Sequence, residues 1–387
     1  MIPENPQSQI QAGRLAILLH GGILGATGKT GLSLLRYSQA NIVAVIDRDC
    51  AGQSLRKLTG INRNVPIVAS LKDALAYHPN ILMIGIAPPG GALPEEWWAD
   101  LDGALEAGLS IVNGLHTKLI PLVEQRHQTN INQFLQPQQW IWDIRREPPG
   151  LKIAGAAARQ LNCRRVLTVG TDMAIGKMST GLELNKAAKQ RGIRSKFIAT
   201  GQGGLMLGED GIPLDSVRVD FAACAVEQMV MRFGTDYDLL IVEGQGSLLH
   251  PGSTATLPLL RGSQPTHLIL AHREGQTHIR NHPHVMIPPL SEVIKLYENV
   301  ASVGGAMQST KIVGISLNTY GLAEDVAREA IVRVQSETGL PCTDTVRFGA
   351  EILLDALLTR EQGTGNSFYS DQCRGGFRID LFILAIT

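Results

Sequence analysis

The sequence RVLTVGTDMAIGKMST, residues 165–180, decides the fold of this chain. A short apolar run ends at Gly170, a loop of small residues follows, and a helical pattern over 177–190 begins after Gly176. This order predicts a β-strand, a phosphate-binding loop and an α-helix. Backbone N–H groups at a helix start have no intrahelical partner, and the helix dipole adds partial positive charge there. We therefore expect this loop to bind the phosphates of a nucleotide or of coenzyme A.

The loop between Gly170 and Gly176 is one residue longer than the common G-x-x-x-x-G-K-[ST] loop. It resembles the GTDxxxGKT loop of dethiobiotin synthetase and its relatives, in which a threonine directly after the lysine binds magnesium. This chain departs from that pattern, because Met178 follows the lysine and the next hydroxyl comes one residue late. The alternative is a glycine-rich turn that binds no ligand. The expected phosphate-binding residues are Gly170, Thr171, Asp172, Ala174, Gly176, Lys177, Met178 and Ser179.

A second stretch, DLLIVEGQGSLL at residues 238–249, agrees with a phosphate-binding loop. A predicted buried strand ends at Glu243, and in P-loop proteins the acid at the end of a neighbouring strand holds Mg²⁺ or its water. Glu243 is therefore a candidate metal ligand, together with Asp172 and Asp220. Because Asp220 opens a helical pattern, an N-cap role stays open for it. The alternative for Glu243 is a solvated residue at a strand end.

Polar residues follow several predicted strands, and ligands of doubly wound sheets bind outside the carboxyl ends of the strands. His272 and Arg273 come just after the apolar strand 266–271, and Arg273 suits a carboxylate of the acceptor. His272 joins Lys177 and Glu243 as a catalytic candidate, although a lone histidine is more often structural. The substrate-binding candidates are Gln202, His250, Ser253, Arg261 and Arg273, of which His250, Ser253 and Arg261 are expected in loops.

The first half of the chain contains a competing glycine loop, HGGILGATGKT at residues 20–30. The stretch from Gly22 to Thr30 has the same spacing as the second loop, and a threonine does follow Lys29. The next predicted strand ends at Asp47, where a Rossmann fold places its ribose-binding acid. Three interpretations stay open: a Rossmann domain that binds a cofactor through Gly22, Lys29 and Asp47, a true second phosphate loop, or a structural glycine turn.

Apolar strands alternate with helical patterns along the chain, which predicts parallel sheets built from βαβ units. A length of 387 residues favours two domains. The predicted fold is α/β with two doubly wound parallel-sheet domains, Rossmann-like at residues 1–148 and P-loop NTPase-like at residues 149–387. The double proline that ends WIWDIRREPP places the boundary, and a short helix is expected over 152–160. The final IDLFILAIT is expected to form an edge strand or a helix end.

The composition argues against several classes of partner. Lys+Arg and Asp+Glu both total 35, and this balance gives no case for binding nucleic acid or a membrane surface. The five cysteines are scattered without a CxxC pair, which predicts reduced thiols in the cytoplasm. We find no signal peptide and no apolar run of the roughly 18 residues that a membrane-spanning helix needs. We therefore expect a cytoplasmic protein that acts on a small molecule, and its long apolar helices favour a homo-oligomer.

Taken together, these strings resemble a bacterial and archaeal family long labelled a domain of unknown function, with a Rossmann-like N-terminal domain and a P-loop C-terminal domain. Members of this family have been assigned as D-glutamate N-acetyltransferases that use acetyl-CoA. The resemblance implies acetyl transfer to an acidic amino acid, with the P-loop holding the phosphates of coenzyme A or a nucleotide. The strings that carry it span nearly all of residues 14–358: AVIDRDCAG, GLSIVNGLHTKL, WDIRREP, GTDMAIGKMSTGLEL, ATGQGGL, VDFAACAVEQ, VEGQGSLLHPGS and HLILAHREG.

Three classes of function follow. Acyl transfer to an amine needs a base, for which Glu243 or His272 is the candidate, and donors for the developing oxyanion, for which the loop N–H groups and Lys177 are candidates. The second class is an ATP- and Mg²⁺-dependent ligase or kinase-like enzyme of the dethiobiotin synthetase type. The third is a nucleotide-binding switch or metallochaperone. The cofactor expectation is ATP or acetyl-CoA, with Mg²⁺ where ATP is used.

Overall fold

Two parallel β-sheets of six strands each form the frame of the chain. The computed structural model describes residues 5–88, 91 and 93–359 of the 387. Every pair of neighbouring strands in both sheets is parallel. The predicted α/β fold with two parallel-sheet units is therefore confirmed. Cys373 and the final IDLFILAIT lie outside the described residues, and the division of the chain at residue 148 stays a prediction.

The first sheet has the strand order β3-β2-β1-β4-β5-β6, which is that of dinucleotide-binding folds. The stretch that the sequence marked as a boundary supplies the edge strand β6 before the double proline. The strands are β1 Arg14–Leu18, β2 Asn41–Ile46, β3 Ile67–Val68, β4 Ile81–Ile84, β5 Ser110–Asn113 and β6 Ile141–Asp143. The helices between them are α1 Pro6–Ala12, α2 Lys29–Tyr37, α3 Leu55–Thr59, α4 Leu71–Ala74, α5 Trp98–Glu106, α6 Leu119–His127 and α7 Ile131–Phe134.

The second sheet has the order β14-β13-β10-β7-β9-β8, and a separate antiparallel hairpin joins β11 to β12. Its central strands are almost completely buried and apolar in their middle residues, as strands covered on both faces are. The strands are β7 Arg164–Gly170, β8 Ser195–Ile198, β9 Leu239–Val242, β10 His267–Arg273, β11 His278–Ile279, β12 His282–Met286, β13 Lys311–Asn318 and β14 Cys342–Thr343. The helices are α8 Lys177–Gln190, α9 Gln202–Met206, α10 Val219–Phe233, α11 Thr256–Ser263, α12 Leu290–Ser302, α13 Glu324–Thr338, α14 Thr345–Phe348 and α15 Glu351–Thr359.

Two local expectations differ from the structure. Only a short 3₁₀ turn, Ala157–Gln160, stands where a helix over 152–160 was expected. The hairpin β11–β12 was not expected, because its polar, histidine-rich sequence shows no strand alternation. Within the described part of the chain, no helix is both long and apolar enough to cross a membrane. The four described cysteines are free and buried.

The two sheets are joined by a continuous apolar core that includes residues of both. Helix α2 of the first half packs against α9 of the second. An ion pair between Arg145 and Asp215 and another between Arg218 and Glu147, with Nε and Oε1 3.0 Å apart, cross the same boundary. The stretch that connects the sheets is held by Glu227, whose carboxylate accepts hydrogen bonds from the N–H groups of Gly155 and Ala157 at 2.9 and 2.6 Å. The connecting stretch is therefore hydrogen-bonded to α10 at Gly155 and Ala157.

The start of β7 is fixed by a buried arginine. Arg165 is 0% exposed, and its guanidinium donates to the carbonyl oxygens of Leu161, Cys163 and Gln264 at 2.8–2.9 Å. Burial lowers the pKa of this guanidinium, but the carbonyl partners replace its lost water. This side chain ties the strand that leads into the phosphate loop to the chain segments on either side of it.

We expect an Arg165→Met variant to lose about 2–4 kcal/mol of unfolding free energy, because three buried carbonyls would lose their donor. The measurement is the urea midpoint of the full chain. The matched control is Arg164→Met, since Arg164 is the half-buried neighbour on the same strand and has no ion pair among the described residues. Equal midpoints for the two variants would contradict this role.

Candidate functional site

The loop between β7 and α8 has the backbone of an anion-binding turn. Gly176 is the residue before the helix, and its φ of 118° lies in the region that favours glycine. Ala174 also has a positive φ, 55°. No side chain caps the start of α8, so the N–H groups of its first turn are free to meet a ligand. The predicted strand, loop and helix are present at the predicted positions.

The Lys177 side chain lies inside this loop and is only 6% exposed. Its Nζ donates to the Asp172 carbonyl oxygen at 2.6 Å. Burial and the charge of Lys29 lower the pKa of Lys177 to about 8, while Asp172 and Glu243 oppose the shift. A Cβ on Gly244 would collide with the Thr168 carbonyl and lie 3.0 Å from the Lys177 Cδ, so only glycine leaves room for this stem.

The Asp172 carboxylate joins the loop to the hairpin. It accepts hydrogen bonds from the Met173 N–H at 2.6 Å, from Gln276 Nε2 at 2.6 Å and from the Arg280 N–H at 2.7 Å. Gln276 precedes the hairpin, and Arg280 lies at its tip. The hairpin therefore forms one wall of the loop, and the guanidinium of Arg280 is carried to that wall.

Glu243 directly follows β9, the strand next to β7, and is 4% exposed. Its Oε2 accepts hydrogen bonds from the N–H groups of Thr200 and Gly201 at 2.9 and 3.2 Å. Burial raises the pKa of Glu243 to about 7, although those N–H groups and the charges of Lys29 and Lys177 favour the carboxylate. The alternative interpretation of Glu243, a solvated residue at a strand end, is wrong, because the side chain is buried and hydrogen-bonded.

His272 lies within β10 and is 8% exposed. Its Nδ1 is 2.9 Å from Thr171 Oγ1 in the loop. Burial lowers the pKa of His272 to about 4. Above that pH the ring is neutral, and its contact with Thr171 ties the start of the loop to β10.

The hydroxyls after Lys177 are engaged elsewhere. Met178 packs its sulfur against Gly203, Ser179 lies against the buried Tyr37 hydroxyl, and Thr180 Oγ1 is bonded to the Gly176 carbonyl and to Ser316. Met178 therefore offers no hydroxyl at the position where the related loops have a threonine, and Thr180 Oγ1 is hydrogen-bonded within the fold.

The three predicted metal ligands do not come together. Among the residues that the structure describes, no group of three His, Cys, Asp or Glu side chains has the geometry to hold a metal ion. Asp172 and Glu243 are occupied by N–H donors. Asp220 is exposed on the first turn of α10, and because Arg218 is the residue before that helix, the N-cap alternative for Asp220 is also wrong.

The substrate-binding candidates divide into two groups. Gln202, the first residue of α9, packs against Gly114 at the end of β5, and Arg273 is exposed at the end of β10 in an open pocket of about 330 Å³ that Arg280 also lines. His250 and Ser253 lie in the loop after β9 and make internal contacts, with His250 Nδ1 accepting from the Gly252 N–H and Ser253 Oγ from the Ser247 N–H at 3.0 Å each.

The loop assignment of Arg261 is wrong. This residue lies in the last turn of α11, which runs back from the edge of the P-loop to the start of β10. Gln264, just after that helix, bonds Arg165 at the start of β7. Arg261 therefore lies near the amino ends of the strands, whereas Lys177 lies at their carboxyl ends.

The N–H groups of the glycine loop in the first sheet are used in hydrogen bonds within the fold. The Asp47 carboxylate is 0% exposed and accepts hydrogen bonds from the N–H groups of Gly21, Ile23 and Asp49 at 3.1–3.3 Å. Gly22 is buried, and its N–H donates to the Leu19 carbonyl oxygen at 2.8 Å. These contacts favour the structural interpretation of Gly22 and Asp47.

Lys29 behaves differently from the rest of that loop. It is the first residue of α2, and its side chain is exposed. The protein packed around the exposed side chain nevertheless shields the ammonium from water, and this burial lowers its pKa. Glu243 opposes the shift, and Arg280 and Arg145 act in the same direction as burial. Lys29 is therefore a neighbour of the P-loop in the second sheet, which none of the three sequence interpretations predicted.

Sequence reasoning missed Arg145, Gln276, Arg280 and Asn318. Asn318 ends β13, and its Nδ2 donates to the Ile175 carbonyl oxygen in the loop at 3.0 Å. The rule that found His272, a polar residue at the carboxyl end of an apolar strand, would have found Asn318 as well. No comparable signal marks Arg145 or the hairpin, because their positions depend on how distant segments pack.

Comparison with known proteins identifies the two units. A family model described as "Domain of unknown function (DUF1611_C) P-loop domain" matches residues 152–354, and one described as "Domain of unknown function (DUF1611_N) Rossmann-like domain" matches residues 48–147. A crystal structure of a DUF1611 family protein from Anabaena variabilis is 65% identical and has a TM-score of 0.86, covering 90% of this chain and 100% of that one.

Two curated relatives carry the name D-glutamate N-acetyltransferase. The protein from Tritonibacter scottomollicae is 37% identical over 303 residues, 78% of this chain and 88% of the relative. The protein from a Pseudoalteromonas species is 34% identical over 303 residues, 76% of this chain and 85% of the relative.

We expect His272 to make the folded chain less stable in acid. Its pKa is about 4 in the fold against an ordinary 6.5, so the unfolded chain binds the proton more readily. The stability is complete above pH 6.5, and up to about 3 kcal/mol is lost as the pH falls towards 4. A His272→Gln variant should lose this part of the pH dependence, measured as the melting temperature between pH 4 and pH 7.

The effect of Glu243 on stability runs in the opposite direction over an overlapping pH range. Its raised pKa makes the fold less stable as the pH rises from 4.5 to about 7. The comparison must therefore be made between variants. His284→Gln is the matched control, because His284 is an exposed histidine of the hairpin. If the His272→Gln and wild-type profiles run parallel, the assignment of the buried neutral ring is wrong.

Proposed function

The chain belongs to the DUF1611 family, and we propose that it is an N-acetyltransferase that transfers the acetyl group of acetyl-CoA to the amine of an acidic amino acid, D-glutamate in the first instance. The chain is a P-loop-fold enzyme, which its family and the names of its relatives support. The acetyl donor and the acceptor are the proposal. The observation that carries it is the pair of Lys177 and Glu243 beneath the loop.

The pair has the protonation behaviour that amide formation needs. An amino acid arrives as an ammonium ion, so a base must remove a proton before the nitrogen can attack. Glu243, with a pKa of about 7, is better matched to this step at neutral pH than His272, with a pKa of about 4. Lys177, with a pKa of about 8, still carries its proton at pH 7 and can hold negative charge.

The bond changes follow from these assignments. Glu243 takes a proton from the ammonium, and the freed nitrogen attacks the thioester carbonyl carbon. The carbonyl oxygen becomes an oxyanion, which the N–H groups of the loop and the Lys177 ammonium stabilise. When the oxyanion collapses, the C–N bond stays and the C–S bond breaks. The nitrogen gives up its second proton to form the amide, and the departing thiolate takes up that proton and leaves as the free thiol.

The loop alternatively suits the phosphates of coenzyme A, which the pantetheine arm separates from the thioester, so that the same donors meet one of the two groups and not both. The uncapped start of α8 and the Lys177 ammonium provide donors and charge for a pyrophosphate. A loop-bound ATP needs Mg²⁺ to neutralise its additional charge. Because Met178 has no oxygen at the position of the usual threonine and Thr180 Oγ1 is hydrogen-bonded elsewhere, coenzyme A fits the residues better than ATP with Mg²⁺.

One observation favours the second candidate, an ATP- and Mg²⁺-dependent ligase or kinase-like enzyme. Glu243 follows the strand next to β7, which is where P-loop enzymes hold Mg²⁺ through an acid. The deciding experiment incubates the full chain with D-glutamate and either acetyl-CoA or ATP with Mg²⁺. Mass spectrometry of N-acetylglutamate and of ADP or AMP then assigns the class, and turnover with ATP alone would overturn the acetyltransferase.

We expect a Lys177→Ala variant to lower kcat/KM for acetyl-CoA by at least about 100-fold, since it removes the positive charge that the loop offers either to the oxyanion or to the phosphates. The measurement is the initial rate of free thiol release. Lys189→Ala is the matched control, because Lys189 is exposed on the same helix. Unchanged turnover in Lys177→Ala would remove the proposed role of the loop.

We expect kcat/KM to rise with pH until about 7, as Glu243 loses its proton, and to fall above about 8, as Lys177 loses its own. A Glu243→Gln variant should lose about 100- to 10,000-fold in rate and the acidic limb of the profile. The measurement is the pH–rate profile of both proteins. An acidic limb that persists in Glu243→Gln would assign the base to another residue.

A further inference from the structure

Lys29 presents an unpaired charge from the first sheet to the site of the second. Among the described residues its ammonium has no hydrogen bond or ion pair. Its position is fixed, because the Gly31 N–H donates to the Gly85 carbonyl oxygen at 2.6 Å and the Ala87 N–H donates to the Thr27 carbonyl oxygen at 2.8 Å. These contacts hold the start of α2 on both sides of Lys29.

Helix α2 carries this lysine along the boundary between the sheets. It packs against α9, and Tyr37 at its far end lies beside Ser179 and Glu183 of α8. The start of the same helix is close enough to Glu243 and Lys177 for these charges to act on each other. Lys29 therefore completes the P-loop site from outside its own domain.

Arg280 is a second cation without a partner. Its backbone N–H donates a hydrogen bond to the Asp172 carboxylate, which fixes the residue at the loop. Its guanidinium has no hydrogen-bond or ion-pair partner among the described residues. It is exposed, and it lies near enough to Lys29 for the two positive charges to repel each other. Two like charges held close together, neither of them in an ion pair, favour the binding of an anion between them.

The signs of the charges at this place identify the class of ligand. An acidic amino acid at neutral pH carries one ammonium and two carboxylates. The site offers one carboxylate, Glu243, beside two unpaired cations, Lys29 and Arg280. An acidic amino acid satisfies all three groups, whereas an anion without an ammonium meets only the two cations.

We infer that Lys29 and Arg280 form the carboxylate subsite of the acceptor, so that its two carboxylates bind these cations while its ammonium faces Glu243. This inference rests on the proposed function for the identity of the acceptor. In this arrangement residues from both sheets line the acceptor site, and the glycine loop at residues 20–30 positions Lys29 there. The pairs are charge-assisted hydrogen bonds, the arginine offering a planar fork.

The test is direct binding to the full chain by isothermal titration calorimetry. The ligands are D-glutamate, D-glutamine and glutarate, which has two carboxylates but no amine. In Lys29→Met and Arg280→Met, the Kd for D-glutamate and for glutarate should rise about 10- to 100-fold. The Kd for D-glutamine should rise less, and the Kd for coenzyme A should stay within about twofold.

The matched controls are Lys72→Met and Arg56→Met, exposed residues of the first half whose side chains have no ion pair among the described residues. They should bind all ligands as the wild type does, which separates loss of the subsite from loss of folding. Equal affinity of Lys29→Met and wild type for D-glutamate would overturn the subsite. Failure of the wild type to bind either dicarboxylate would do the same.

Parallel turnover assays keep this inference apart from the proposed function. If glutarate binds in a Lys29-dependent way but no N-acetylglutamate forms, the acetyltransferase is wrong and the dicarboxylate subsite stands. If the wild type turns over D-glutamate and Lys29→Met does so equally well, the subsite is wrong and the acetyltransferase stands.

Discussion

The buried ammonium of Lys177 is the constraint on which the rest of the site depends. An ammonium removed from water is stable only where other groups replace its water. Here the Asp172 carbonyl oxygen, 2.6 Å away, takes that place, and the charges of Asp172 and Glu243 help to keep the proton on Lys177. The glycine loop surrounds this side chain, Gly244 leaves room for its stem, and the hairpin is hydrogen-bonded to Asp172, the residue that accepts its hydrogen bond.

The local parts of the site could be predicted from the sequence. The strand β7, its loop and α8 follow from an apolar run, a glycine spacing and a helical period within one short stretch. Glu243 and His272 were found because each lies at or near the end of an apolar strand, where parallel sheets bind ligands. Patterns of this kind lie within a few residues of sequence, so they do not depend on how distant segments pack.

The parts that failed depend on contacts between distant segments. Arg261 was placed in a loop because the proline and glycine around it hid a short helix. The hairpin at residues 278–286 gives no alternating pattern, and it is held by Asp172, about a hundred positions earlier in the chain. The approach of Lys29 to Glu243 required the packing of α2 on α9, which no local sequence encodes.

The fastening of the connection between the sheets has an energetic consequence. The Glu227 carboxylate accepts two hydrogen bonds from the connecting stretch, and two ion pairs, Arg145–Asp215 and Arg218–Glu147, join the two halves. A hinged protein must use part of its ligand's affinity to bring its halves together. In this chain that ordering entropy is already lost when the polypeptide folds, so a ligand meets a preorganised cleft and keeps the benefit of every contact it makes.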